Sequence, residues 1–238
     1  MRSLAKNLTL LTDIIVTLKK APDIIAISET KLNDNYLSNI TIPGYLFVNT
    51  NSKTSAGGVG LYLAEQLNFI RRHDLELPAE GVESCWIETT GKKEQNVIIG
   101  CVYRHPHSKL ESFHEAMKER LQSLNNSSKQ VIVLGDINMN FLQYCNDNRT
   151  ADHLDMLLNS GFMPIITKAT CITNHSKTSM DHIYTNFPQK VLKSGISLAG
   201  ISDHLPVFCT ITHKKFNFQQ QMNHTTIEIF QISTKIPS

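Results

Sequence analysis

Carboxylates and amides recur in this chain where apolar runs stop. Ser28-Glu29-Thr30 follows Ile24-Ile25-Ala26-Ile27, and Gly135-Asp136-Ile137-Asn138 follows Val131-Ile132-Val133-Leu134. Ser179-Met180-Asp181-His182, Ser202-Asp203-His204 and Tyr103-Arg104-His105-Pro106 also lie at the ends of apolar segments. A carboxylate at the end of a buried strand is costly unless it is solvated, paired or bound to a metal. Several of them converging on one sheet edge form an oxygen-rich site of the kind that hard cations choose. Each cluster alone has a plainer reading: Glu29 as a cap, Asp136 and Asn138 as an Asx-type turn, Tyr103 as strand packing, Asp203-His204 as a loop pair. The order and spacing of all five turn the balance toward a shared site.

The elements that must position these residues alternate between helix and strand. Leu4, Leu8, Leu11, Ile15 and Leu18 fall on one helical face, and Pro22 stops that helix. The run Asp23–Ser28 is continuously apolar, as expected of a strand buried on both faces. Short aliphatic and aromatic runs predict strands at 45–49, 59–63, 68–72, 82–89 and 97–103, with turns at Gly57-Gly58 and Gly91. Leu110, Phe113, Met117, Leu121 and Leu124 mark a second helix before the buried strand 131–134. A third helix is expected near 151–160, with Leu154, Leu157 and Leu158 inward and Gly161 at its C-terminal cap. Further strands are expected at 181–184, 191–197 and 206–212. Beyond Thr212 the chain turns polar and rich in Gln and Asn, so the reading is one domain over 1–212 and a poorly ordered tail over 213–238.

Composition narrows the class. The 238 residues are 41 % hydrophobic, with 11 Gly and 8 Pro, which excludes collagen-like and disordered chains. With 23 basic and 21 acidic side chains the net charge is +2, so no global field dictates a polyanionic partner. A local basic cluster would have to come from Arg71-Arg72, Lys92-Lys93, Arg104 or Lys214-Lys215. The five cysteines include no C-x-x-C pair, which predicts a reduced, intracellular chain without a disulfide framework or a zinc site. Asp13 interrupts the first apolar run and no A-x-A site follows, which argues against a signal peptide. No apolar stretch approaches the ~20 residues that span a bilayer, so no membrane association is expected.

The segments PDIIAISETKL at 22–32, GGVGLYL at 57–63, VYRHP at 102–106, VIVLGDINMN at 131–140, TSMDHIYTN at 178–186 and ISDHLPV at 201–207 resemble the endonuclease/exonuclease/phosphatase superfamily. Within it they are most similar to the endonuclease domain of non-LTR retrotransposons. The resemblance implies an α/β fold, a four-layer sandwich of two mixed sheets flanked by helices. It implies Mg²⁺-dependent hydrolysis of phosphodiesters in DNA, with Mn²⁺ as an alternative ion, and a nuclear site of action follows if that DNA is chromosomal. By resemblance, Glu29 and Asp203 are metal-binding, Tyr103 contacts the scissile phosphate, and Asp136 orients or deprotonates water. Asn138 donates to a phosphate oxygen, His204 lies at the phosphate, and Asp181 orients His204. The chemistry is consistent with such a set, because charge gathers on nonbridging oxygens as the phosphodiester is attacked.

One departure stands against these matches. In the family a first strand carries an asparagine within a pattern like N-x-R-S-L, whereas this chain begins Met1-Arg2-Ser3-Leu4. The chain therefore reads as N-terminally truncated, with neighbouring strands left unpaired and activity impaired. No reverse transcriptase sequence accompanies the domain. Two other functions share the same residues: a phosphatase of inositol lipids or other phosphoesters, and a catalytically dead scaffold or nucleic-acid-binding remnant.

Overall fold

The structure, a computed structural model, describes residues 4–32, 40–52, 56–90, 96–198, 202–216 and 222–233. Lys92-Lys93 and Gly91, singled out above, lie outside the described residues. Helix α1 (Leu4–Thr17) leads into β1 (Ile24–Ser28). The strands β2 (Tyr45–Thr50), β3 (Val59–Ala64), β4 (Phe69–Arg71), β5 (Val82–Thr89) and β6 (Val97–Arg104) follow. Next come α2 (Leu110–Asn126), β7 (Gln130–Asp136), α3 (Asn148–Asn159) and β8 (Met163–Pro164). A small hairpin of β9 (Cys171–Ile172) and β10 (Lys177–Thr178) precedes β11 (Asp181–Thr185), β12 (Val191–Ile196), β13 (Val207–Phe216) and β14 (Met222–Ser233).

Two mixed sheets of six strands face one another, in the orders β12-β13-β14-β1-β3-β2 and β4-β5-β6-β7-β11-β8. Strand alternation sorts the apolar residues into three layers. Ile24 and Ala26 of β1 join Leu61, Ile99, Leu134 and Ile183 in the core between the sheets. Ile25 and Ile27 turn the other way and meet Leu4, Leu11 and Ile15 of α1. On the outer face of the second sheet, Trp86, Ile98 and Val133 pack against Phe113, Met117 and Leu121 of α2 and Leu157 of α3. Helix, sheet, sheet and helix are the four layers expected.

Two expectations need correction. Residues 222–233 are not a tail: β14 lies inside the first sheet, antiparallel to β13 and parallel to β1. The reason is legible in Thr225-Thr226-Ile227-Glu228-Ile229-Phe230-Gln231-Ile232, a β-branched run that the neighbouring Gln and Asn residues obscure. Ile227 and Ile229 enter the inter-sheet core, and Phe230 and Ile232 pack toward α1. Nor is the edge of β1 left open. Ile24 through Ser28 pair with Ile229 through Ser233 on one side and with β3 on the other. The place beside β1 that was expected to expose unpaired backbone is filled from the C-terminal side of the chain. A smaller correction concerns α3, whose buried residues are Thr150, His153 and Leu157, while Leu158 is 48 % exposed.

Candidate active site

The site begins as a row across the second sheet. Tyr103 on β6 is in register with Asp136 on β7, and Asp136 is in register with Asp181 on β11. Residues two positions along, Cys101, Leu134 and Ile183, belong to the inter-sheet core, so the row faces the first sheet. From that sheet come Glu29, just past the end of β1, and Gln231 on β14. Side-chain hydrogen bonds join the sheets at this edge. Tyr103 Oη donates to Glu29 Oε1 at 2.6 Å, and Gln231 Nε2 donates to Asp181 Oδ1 at 3.1 Å.

Asp136 reaches its position because Gly135 precedes it. Gly135 has φ +147°, and a Cβ built there would lie 1.7 Å from the Val102 carbonyl oxygen of β6. Past Asp136 the chain bends sharply, with Asn138 in the left-handed region at φ 50°. Asn138 N donates to Asp136 Oδ1 at 2.9 Å, as an Asx-type turn requires. The Asn138 Nδ2 donates to Arg104 O, and Arg104 returns hydrogen bonds from Nε to Ile137 O and from Nη2 to Asn138 O. Arg104 is therefore the buried clamp of this loop rather than part of a surface cluster. Glu29 also sits at positive φ, 56°, a conformation that non-glycine residues hold at a cost of order 1–3 kcal/mol.

At the other end of the row, Asp181 Oδ2 accepts from Thr170 Oγ1 at 2.9 Å and lies 2.7 Å from His204 Nδ1. His204 Nδ1 is 4.0 Å from Asp136 Oδ2. Burial alone would lower the His204 pKa, but Asp181, with Asp136 and Asp203 beyond it, outweighs burial and holds it up at about 9. His204 is thus an imidazolium at neutral pH, and its Nε2 makes no hydrogen bond among the described residues. Burial, then the Glu29 carboxylate, push the Tyr103 phenol well above its ordinary range, so it remains a proton donor.

Against this geometry stand the likenesses of the chain to other proteins. The Endonuclease/Exonuclease/phosphatase family matches residues 2–204. The chain belongs to this family. Among solved structures, the endonuclease domain of TRAS1, a telomere-specific non-LTR retrotransposon, is 14 % identical with a TM-score of 0.64, over 86 % of this chain and 90 % of that one. An AP endonuclease from Archaeoglobus fulgidus is 17 % identical with a TM-score of 0.63, over 87 % and 94 % of the two chains. A 3′-5′ exonuclease from Neisseria meningitidis is 15 % identical with a TM-score of 0.63, over 87 % and 94 %. These likenesses concern the fold. No curated protein matches the sequence.

In this family member the donor set suits a cation. Ligand atoms of Asp136, Asp181 and His204 lie within 4.8 Å of one another, as do those of Cys171, Asp203 and His204. Asp203 Oδ1 is a buried oxygen with no hydrogen-bond partner among the described residues. Asp203 groups with Cys171 and His204 rather than with Asp136 and Asp181, and its orphaned carboxylate oxygen is the atom that fits a hard divalent ion. Glu29 is in neither group; its Oε2 lies 3.5 Å from Lys31 Nζ.

The surface arginines are committed elsewhere. Arg71 pairs with Glu76 at 2.8 Å, and Arg72 pairs with Asp74 at 2.6 Å and also with Glu88. An open cleft of about 940 Å³ adjoins the row, lined in part by Asn51, Glu83, His105, His107 and Lys109. Glu83 is in register with Tyr103, and its Oε1 lies 3.1 Å from His105 Nε2. Sequence reasoning does not reach Glu83, Thr170 or Gln231. Glu83 and Thr170 carry no motif, and Gln231 lies in the segment expected to be a tail. No helix among the described residues is long and apolar enough to cross a membrane.

Proposed function

We propose that this chain is a Mg²⁺-dependent phosphodiesterase that nicks DNA, the endonuclease domain of a non-LTR retrotransposon. The observation that carries the reading is the buried Asp136–Asp181–His204 cluster at one sheet edge, facing the Tyr103–Glu29 pair. Glu29 and Asp203 would hold the cation, which supplies charge neutralisation at the phosphate oxygens. Asp136, beside His204 but not its main partner, aligns a water molecule and accepts its proton as that water attacks phosphorus; the P–O bond opposite the water breaks, and the departing sugar oxygen takes a proton from solvent. Asp181 keeps His204 cationic and turns its Nε2–H toward a nonbridging oxygen, where negative charge develops. Tyr103 would be a second, neutral donor once its single O–H, held by Glu29 Oε1 in this structure, turns to the phosphate, and Asn138 adds a carboxamide without repelling the anion. The cleft beside Glu83 and His105 gives room for nucleotides next to the phosphate. The TRAS1 likeness inclines the choice of substrate toward DNA.

The test is conversion of supercoiled plasmid to open circles, run with Mg²⁺, with Mn²⁺ and with chelator. Inositol polyphosphates are assayed in parallel. Metal-dependent nicking, abolished by chelator and faster than release of phosphate from the inositol compounds, is expected. Preferential hydrolysis of the inositol compounds would replace this reading with the phosphatase one, and inactivity on both would leave a catalytically dead relative.

A further inference from the structure

Strand β14 carries into the site one side chain that none of the motifs contains. Along β14, Ile227, Ile229 and Gln231 alternate onto the face that looks at the second sheet. The first two are core hydrophobes, and the third position is fully buried as well. An aliphatic residue there would extend the core with no polar group to satisfy. The glutamine instead spends both hydrogens of Nε2, one on Asp181 Oδ1 and one on Ser28 Oγ, each at 3.1 Å. Its Oε1 is buried and has no partner among the described residues.

The consequence lies in the carboxylate of Asp181. On Oδ2 it holds His204 Nδ1 and Thr170 Oγ1, and on Oδ1 it accepts from Gln231. Donors on both edges fix the plane of a carboxylate; donors on one edge leave it free to turn about Cβ–Cγ. We infer that Gln231 is a positioning residue of this site: by holding Asp181 Oδ1 across the sheet interface, it presents Oδ2 to His204 Nδ1. The inference rests on the phosphodiesterase reading for its kinetic consequence, but not for the geometry. It makes β14, and with it residues near the C-terminal side of the chain, part of the active site. Residues that orient a reacting group through another side chain commonly contribute about 10–100-fold.

The experiment uses the full chain and Gln231→Met, which keeps the volume and removes the donor. In the parent protein, the Nδ1–H proton of His204, 2.7 Å from Asp181 Oδ2, is expected to give a downfield NMR resonance characteristic of a short bond to a carboxylate. In Gln231→Met that resonance shifts upfield or broadens, while backbone amides of β1 and β14 stay protected from exchange. kcat for plasmid nicking falls about 10–100-fold with KM within about twofold. In an Asp181→Ala background the same substitution changes kcat less than about twofold. An unchanged resonance, an unchanged kcat, or an equal loss in the Asp181→Ala background overturns the inference. Should Gln231→Met not fold, the side-chain amide of Gln231 in the parent protein decides. Slowly exchanging, downfield Nε2 protons that move in Asp181→Asn support the inference, and ordinary fast-exchanging ones refute it. A parent protein inactive on every phosphodiester would sink the proposed function, while the NMR readings would still settle the role of Gln231.

Discussion

Asp181 and His182 are neighbours on β11, yet they belong to different chemical worlds. Asp181 faces the first sheet and holds His204. His182 faces the helices, where its ring lies against Phe141 and Tyr184, with Nε2 at 3.0 Å from Met139 O. Beyond it, His153 of α3 stacks on Phe113 and His114, fully buried with neither ring nitrogen hydrogen-bonded among the described residues. Burial drives His182 down to about 4 and His153 well below the ordinary histidine range. The same desolvation acts on His204, and there the carboxylates overcome it. Burial does not determine what a histidine does; the presence of an opposing charge does. A single-residue step along β11 separates Asp181, the carboxylate that holds His204, from His182, a neutral imidazole that serves as core.

The largest effect that would break this contrast is kinetic. His204→Ala should lower the nicking rate by about 10²–10⁴, the usual loss for a positioned proton donor. His153→Phe, on the opposite face, should leave the rate within a few-fold. Plasmid nicking by both variants under identical Mg²⁺ decides it, and equal losses would erase the distinction between the two faces.

Next in size is the turn that separates the faces at β7. Gly135→Ala places a methyl group where the Val102 carbonyl already stands, at a φ that side chains rarely adopt. Backbone on both sides must move, and a loss of roughly 3 kcal/mol or more is expected in urea unfolding. A loss under about 1 kcal/mol would mean that β6 and β7 are not in close contact at this point.

Most of this arrangement is legible in the residues alone. The buried runs at 24–28 and 131–134 have no polar face, so each has to lie inside a sheet, although only the structure shows that they lie in two facing sheets. What escapes such a reading is long-range. Nothing local in Gln231 announces that it meets Asp181, fifty positions away in sequence. Arg104 looks like a surface cation because its partners are backbone carbonyls, Ile137 O and Asn138 O, which no residue pattern encodes. β14 is hidden because a polar composition on both sides masks its β-branched run. The expected open seam does not appear beside β1, where β14 pairs from far along the chain, because pairing partners can come from anywhere in a chain.

A smaller effect follows from the neutral histidines. His153 is unprotonated when folded but takes up a proton when unfolded, at a pKa of about 6.5. Its stabilising contribution is therefore present above about pH 6.5 and is lost as pH falls below it. The slope contributed by such a group is about 1.4 kcal/mol per pH unit. Urea midpoints of the parent and of His153→Phe between pH 7 and pH 5 should diverge, the variant falling less steeply. Parallel curves would mean that His153 is protonated in the fold.

The smallest effect is expected at Leu158, the neighbour of Leu157 on α3. Helical spacing puts Leu157 and Leu158 together on the inner face, but successive helical residues differ by about 100° and cannot both point inward at the centre of a contact. Leu157 is fully buried against the second sheet, while Leu158 is 48 % exposed. Leu157→Ala should cost about 2–5 kcal/mol, as filled core positions do. Leu158→Gln should change stability by no more than about 0.5 kcal/mol, since it removes little buried apolar area and glutamine suits a helix surface. Thermal melts of the two variants compare them directly. A cost above about 1.5 kcal/mol at Leu158 would mean that this side of α3 is covered in solution, and the apolar face of the helix would then extend one residue beyond Leu157.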